Sequence, residues 1–407
     1  MLCCFPKIAL VAAGLFFASA SIARAAEIAS ANDTARFLAG MQPSADSPLV
    51  PLTQDPAWQR HARFFDSAFA QLDQRQLSRI AAWSDANLAA PRPTMFYMFS
   101  GPDFLYADAF FSKASTYVLG ALEPTGPVPD VMKLPRGGTG PALSYVERSL
   151  GSILSFSFFI TKEMKVDLRA GDVSGTLPIL YVFLARSGKT IHDVGLIWLD
   201  DTGAIHGGDE AAPAHATRGA RITFAGNDGA ERTLYYFSTD LSNSGVSSSG
   251  FLNFCEPLAP GNSLIKSASY LLHGGNFTVI RDWLLANSSS IIQDDSGIPL
   301  ASYDRRKWRF FPFGRYEGPI DKFPRRYQRR YAALFERSQP LDFGIGYRWR
   351  TSESNVLLSV RVAPDDAAHS EATAEPAQQT PPPRPRRPRP PPPELLGPPR
   401  YFWFPRY

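Results

Sequence analysis

The chain has 407 residues, 44% of them hydrophobic and 20% charged, with 36 prolines and a net charge of +4. That apolar content excludes a disordered or collagen-like chain, and three cysteines are too few for a disulfide scaffold or a Cys-based zinc module. With both ends set aside, about 310–340 residues remain, enough for one large domain with a substantial core.

At the N-terminus, Lys7 is followed by an apolar run from Ile8 to Phe17 and by Ala23-Arg24-Ala25. This order reads as a secretory signal over residues 1–25, which predicts a soluble periplasmic or secreted protein. The apolar run is shorter than the roughly 18 residues needed to span a bilayer, so no transmembrane segment is expected once the signal is removed. Cys3 and Cys4 leave with the signal, and Cys255 remains as a packed small hydrophobe. Residues 26–52 read as a poorly ordered arm, and residues 53–362 as a single domain.

Asp55 caps a helical stretch reaching Leu88, with Pro56 at its first position and Trp58, Phe65, Phe69 and Leu72 at helical spacing. Met95–Phe99 reads as a strand, Asp103–Phe111 as a short helix capped by Asp103, Tyr117–Leu122 as a strand and Pro141–Phe159 as a longer helix. Four strands are expected at Ile179–Ala185, Val194–Leu199, Arg221–Phe224 and Leu234–Phe237. Asn227-Asp228-Gly229 marks a hairpin between the last two. Helices are expected at Ser263–Leu272 and Val279–Ala286, and a closing hairpin at Gly344–Trp349 and Val356–Val362. Short connections favour antiparallel pairing. The predicted architecture is α+β, with helices packed on a mostly antiparallel, mixed sheet.

Beyond the domain, residues 363–407 read as a disordered Pro/Arg-rich tail. Its last 27 residues hold 12 prolines, six arginines and one acid, the composition of a semi-rigid cationic rod.

Five segments stand out: Phe99-Ser100-Gly101-Pro102-Asp103-Phe104-Leu105-Tyr106, Lys266-Ser267-Ala268-Ser269-Tyr270, Gln293-Asp294-Asp295-Ser296-Gly297-Ile298-Pro299, Phe313-Gly314-Arg315-Tyr316 and Phe343-Gly344-Ile345-Gly346-Tyr347. Together they resemble segments shared by an uncharacterised group of exported bacterial proteins. The resemblance covers most of Met95–Val362 and implies one intact domain, with no activity attached.

Chemistry has to be sought in the residues themselves. Asp294 and Asp295 are adjacent, so their side chains diverge on any regular element, and an acid/base pair needs a partner such as Asp103, Glu123 or Asp240. A glycan or ester hydrolase using Asp103, Asp294 and Asp295 is one reading; turn anchoring by Asp294 and Asp295 is the other. Ser263-Leu264-Ile265-Lys266 matches the Ser-x-x-Lys spacing without its companion motifs. Gly188-Lys189-Thr190 imitates a phosphate loop, but Phe183 stands where its first glycine belongs. The histidines show no zinc spacing, and Asp200, Asp201, His206 and Asp209 read as a solvated loop; neither metal nor cofactor is expected. His273 reads either as a general base beside Ser267 or Ser269 or, in preference, as a satisfied, partly buried histidine.

From Arg305 to Arg330 run ten Lys/Arg against two acids, interleaved with aromatic residues. Arg305, Arg306, Trp308, Arg309, Tyr316, Arg325 and Arg326 are therefore the expected contacts for an anionic envelope component: a polysaccharide, a lipid headgroup or peptidoglycan. Export argues against nucleic acid. Two further outcomes stay open: internal pairing of these arginines with the acidic remainder of the chain, and a purely structural envelope role.

Overall fold

The structure, a computed structural model, describes residues 29–134, 138–156, 158, 173–208 and 210–362. The expected signal peptide and Pro/Arg-rich tail, and Asp209, lie outside the described residues. The strands are β1 (Thr94–Met98), β2 (Thr116–Ala121), β3 (Thr190–Leu199), β4 (Ile205–Gly207), β5 (Thr217–Ala225), β6 (Glu231–Ser238), β7 (Gly261–Ile265), β8 (Ser288–Gln293), β9 (Trp308–Gly314) and β10 (Asn355–Arg361). The main helices are α1 (Ala31–Leu38), α2 (Pro56–Leu72), α3 (Ser78–Asn87), α4 (Phe104–Phe111), α5 (Thr139–Phe156), α6 (Leu177–Arg186), α7 (Thr278–Asn287) and α8 (Arg329–Phe335).

All ten strands join one sheet in the order β4-β3-β5-β6-β2-β1-β7-β8-β10-β9. The five central strands, β6 to β8 in that order, run parallel. Both wings are antiparallel, so five of the nine pairings are antiparallel. This is the α+β architecture expected: helices on a mixed, mostly antiparallel sheet.

Alternation along the strands divides the core between two faces. Met95, Tyr97, Tyr117, Leu119 and Leu264 point to the face covered by α4, α5 and α6. Phe96, Met98, Val118, Ile265 and Ile291 point to the face covered by α7. The crossover from β1 through α4 leads to β2 on one side, and that from β7 through α7 leads to β8 on the other. Chain direction therefore diverges between the paired neighbours β1 and β7.

Four expectations change in three dimensions. Residues 177–185 form helix, not strand: every one is buried, and an apolar run without alternation does not distinguish the two. Pro178 at its first turn and burial on all sides suit a central helix. Ser263–Leu272 is not a helix, because Gly261–Ile265 is a parallel strand buried along its whole length. Gly344–Trp349 is a loop, and β10 instead inserts between β8 and β9. The stretch read as a loose arm folds: Ser30 Oγ accepts the Asp33 N–H at 3.0 Å, and Phe37 and Leu38 are fully buried. The hairpin around Asn227-Asp228-Gly229 forms as expected between β5 and β6.

Candidate functional site

Parallel strands all end at one edge of a sheet, and ligand sites open there where crossovers diverge. In this chain a cleft of about 800 Å³, counting space open to solvent, lies at that edge. Its walls come from the loops after β1 (Phe99, Ser100, Gly101, Asp103), β2 (Leu122, Glu123), β6 (Thr239, Asp240, Leu241) and β7 (Lys266 to Ser269). Phe158, Leu271 and Phe277 add apolar surface.

Strand alternation sends Lys266, next after Ile265, to the α4 face. There its Nζ lies 2.9 Å from Asp103 Oδ2, with both side chains almost fully out of solvent. The same Nζ sits 3.7 Å from the centre of the Tyr106 ring. Asp103 Oδ2 also accepts the Tyr97 hydroxyl at 2.9 Å, while Oδ1 caps α4 through the Tyr106 N–H at 3.3 Å. Tyr106 in turn donates to Gln76 Oε1. Burial pulls the Lys266 ammonium below its ordinary pKa, opposed by the charges of Asp103 and Asp294. Burial, followed by the Asp103 charge, pushes the Tyr97 phenol far up.

Asp294 and Asp295 follow β8 and turn apart. Asp294 Oδ1 accepts the N–H of Ser296 at 3.0 Å and its hydroxyl at 2.5 Å, while Oδ2 accepts the Ser267 N–H at 2.9 Å. It therefore ties the β8 turn to the β7 turn. Burial, then the Asp295 charge, pushes Asp294 up to about 7. Asp295 accepts the Tyr270 hydroxyl at 2.5 Å and Asn355 Nδ2 at 3.1 Å; burial raises it as well. Neither aspartate is among the residues lining the cleft: Asp294 ties the β7 and β8 turns together behind it, and Asp295 bonds Tyr270 and Asn355. Of the expected carboxylates, Asp103, Glu123 and Asp240 reach it.

The Ser263–Lys266 pairing also dissolves. Residues three apart on a strand face opposite ways, and Ser263 Oγ bonds Ser288 Oγ at 2.7 Å. Lys189 serves no phosphate loop either; it pairs with Asp108 at 3.0 Å in the interior. Cys255 is buried, which pushes its thiol well up, as a packed hydrophobe requires.

Backbone strain collects at the same edge. Among the described residues, the non-glycine residues with left-handed φ are Phe99 (64°), Ser267 (54°), Ser269 (51°) and Tyr270 (54°). Three of them line the cleft and the fourth follows Ser269. Such residues cost on the order of 1–3 kcal/mol each and cluster at functional sites. Two hydroxyls on the cleft wall, Ser267 Oγ and Thr239 Oγ1, are buried without a hydrogen-bond partner. Ser267 stands out in the sequence only through Lys266-Ser267-Ala268-Ser269-Tyr270 and as a serine that His273 could serve.

Four of the five quoted segments meet here although the first lies far from the others in the chain, and Tyr316 of the fifth joins them through Tyr331 and Asn355. The Tyr347 hydroxyl lies 2.7 Å from Ser269 Oγ and 3.0 Å from the Ser267 carbonyl oxygen. Gly346 leaves room for Asp294: a β-carbon on it would overlap Oδ2. Tyr316 packs edge-on to Tyr331, whose hydroxyl donates to Asn355, the partner of Asp295.

The basic segment divides by side-chain type. Arg305, Arg306, Arg309, Arg325 and Arg326 are exposed. Arg306–Asp304 and Arg315–Glu317 form surface pairs, each at 3.4 Å. Trp308 and Tyr316 are instead core residues, 4% and 9% exposed. Arg361 covers Trp308 at 4.8 Å, and Tyr327 and Tyr331 pack on Tyr316, so neither ring faces outward for a polymer. Lys322 to Arg326 border an open notch, and the Phe323 ring lies 5.0 Å from that of Tyr270. His273 stands edge-on to Tyr270 at 5.3 Å; burial and then the Arg326 charge pull its imidazole down to about 4.

Among the described residues, no group of three or more His, Cys, Asp or Glu gathers to hold a metal ion, and no helix is long and apolar enough to cross a membrane. Comparison of the chain with protein-family models, curated proteins and solved structures finds no match in any of the three.

Proposed function

We propose that the chain is a hydrolase of esters or glycans whose chemistry takes place in the cleft at the carboxyl edge of the parallel strands. The observation that carries this reading is the concentration of left-handed residues around one cleft that also holds a buried Lys–Asp pair. Strain and a desolvated charge pair both cost stability, and active sites are where folds tolerate them. Asp103 and Lys266 form the polar floor, Glu123 and Asp240 are the further carboxylates within the cleft, and Phe99, Phe158 and Phe277 give the substrate an apolar wall. Asp294 and Asp295 hold the loops in place. The test is turnover of a panel of nitrophenyl esters and glycosides by the purified chain, with Lys266→Met as the control. Hydrolysis abolished by that substitution is expected; no turnover of any member overturns the reading.

A second reading concerns the surface: an exported protein, in the periplasm or secreted, that binds an anionic envelope component through its arginines. The signal-like residues 1–25 and the outward position of Arg305, Arg306, Arg309, Arg325 and Arg326 support it. Exposed guanidinium groups attract polyanions, and that attraction weakens with salt. Pull-down with lipopolysaccharide or peptidoglycan at low and high salt tests it. Retention at low salt alone is expected, and failure at both ends the idea.

A further inference from the structure

We propose that Ser267 is the nucleophile of the cleft and that it takes an acyl group from a carboxylic ester. This deepens the hydrolase reading and rests on it, since it selects ester over glycan.

Four observations point to Ser267. It stands two residues beyond the end of a parallel strand, at the edge where crossovers diverge, and its φ of 54° turns the chain sharply out of β7. Ser267 lines the cleft, and its Oγ is buried with no hydrogen-bond partner, which is rare for a hydroxyl and leaves its bonding capacity unspent. Its backbone is pinned from both sides: the N–H donates to Asp294 Oδ2 at 2.9 Å, and the carbonyl accepts the Tyr347 hydroxyl at 3.0 Å. The strain is therefore held in place by long-range contacts. Lys266, its neighbour, also lines the cleft and brings a positive charge to it.

A serine hydroxyl needs a base. The carboxylate touching this residue is Asp294, and the chain already shows how such a carboxylate takes both groups of one serine. Asp294 Oδ1 accepts the N–H and the hydroxyl of Ser296, and Asp33 Oδ1 does the same for Ser44 at 2.8 Å each. Deprotonation requires Ser267 to turn about χ1 until its hydroxyl takes that same relation to Oδ2. The step is then as follows. Ser267 Oγ forms a bond to the ester carbonyl carbon, and its proton passes to the Asp294 carboxylate. The bond from that carbon to the alcohol oxygen breaks, the oxygen leaves with the electron pair, and the proton from Asp294 neutralises it. Water repeats the sequence on the acyl-serine and releases the acid. Lys266 stabilises the negative oxygen of the tetrahedral intermediate.

The charged and titratable groups facing Asp294 are Lys266 and Tyr270 from the β7 turn, Asp295 beside it, Tyr97 from β1, Tyr331 from α8 and Tyr347 from the loop at 343–349. Lys266 contributes the cationic charge among them.

The experiment is labelling of the purified full chain with a fluorophosphonate, located by peptide mass spectrometry. Labelling at Ser267 is expected, falling at least tenfold in Ser267→Ala and in Ser267→Gly and unchanged in Ser112→Ala, an exposed serine outside the cleft. The glycine variant accepts the left-handed backbone, so its loss of labelling reports chemistry and not misfolding. The labelling rate is expected to rise with pH through about 7, as a carboxylate base requires. Absent labelling, or labelling retained in both Ser267 variants, overturns the assignment. The two proposals fail separately. Ester or glycoside turnover that survives in Ser267→Gly removes the nucleophile and leaves the hydrolase; labelled Ser267 with no turnover of the panel removes the hydrolase and leaves a reactive serine.

Discussion

Lys266 Nζ lies 2.9 Å from Asp103 Oδ2, joining the end of β7 to the start of α4 beneath the cleft, with the side chains 1% and 2% exposed. A pair this far from water is held by its mutual charge and by the Tyr97 hydroxyl on the same carboxylate oxygen. Removing one partner strands the other charge in a low dielectric, which costs about 3–5 kcal/mol. Lys266→Met is expected to lower stability by that amount in urea unfolding. Asp103→Ala is expected to cost at least as much, because it also removes the cap of α4. A loss below about 1 kcal/mol in both would contradict the buried pair.

Gly346 offers a sharper steric test. Its φ is 64°, and a β-carbon there would overlap Asp294 Oδ2. The backbone alone makes Gly346→Ala cost about 1–2 kcal/mol, and displacement of Asp294 adds to it. Since Asp294 holds the Ser267 N–H, the variant is expected to lose cleft activity together with stability. Wild-type melting behaviour in Gly346→Ala would show that the two loops do not meet as described.

The pH dependence of stability has a definite sign. Asp294 is raised from 3.8 to about 7, so the folded chain holds this proton more tightly than the unfolded one. Its contribution is full below the ordinary carboxylate value and is lost as pH rises through about 7. His273, pulled down from 6.5 to about 4, acts in the opposite sense at lower pH, so the measurement belongs at pH 6.5 and above. Between there and pH 8.5, wild-type stability is expected to fall relative to Asp294→Asn. A constant gap between the two chains across that range would contradict a raised Asp294.

Exposed arginines predict a separation of binding from folding. Arg325 and Arg326 lie at the surface, so replacing both with Glu is expected to shift stability by no more than about 0.5 kcal/mol each. Retention on an anionic envelope polymer at low salt is expected to drop strongly in the same variant. Equal retention of variant and wild type would place the contact elsewhere.

Local chemistry was readable wherever a signal acts over a few residues. Asp103 as a helix cap, Pro56 at the start of α2 and the Asn227-Asp228-Gly229 turn all followed from neighbours in the chain. The α+β class followed too, since short turns between strand-like runs favour antiparallel partners. The apolar run at 177–185 fits strand or helix alike because burial on every side erases periodicity, and the helix expected at Ser263–Leu272 gives way to a short buried strand, Gly261–Ile265. β8 and β9 were missed: Ser288–Gln293 has no alternation, and Trp308–Gly314 was dominated by its charge and aromatic content.

For the site, the sequence by itself determined which carboxylates were candidates, that Asp294 and Asp295 would diverge, and that a dense basic segment existed. Only the tertiary structure decided that Asp103 meets Lys266, that Asp294 holds Ser267, and that Trp308 and Tyr316 face inward while the arginines face out. The reason is physical: covalent neighbours settle turns and caps, whereas a cleft is made by strand order, which brings residues 99–103, 239–241 and 266–269 to one edge through hydrogen bonds between distant strands.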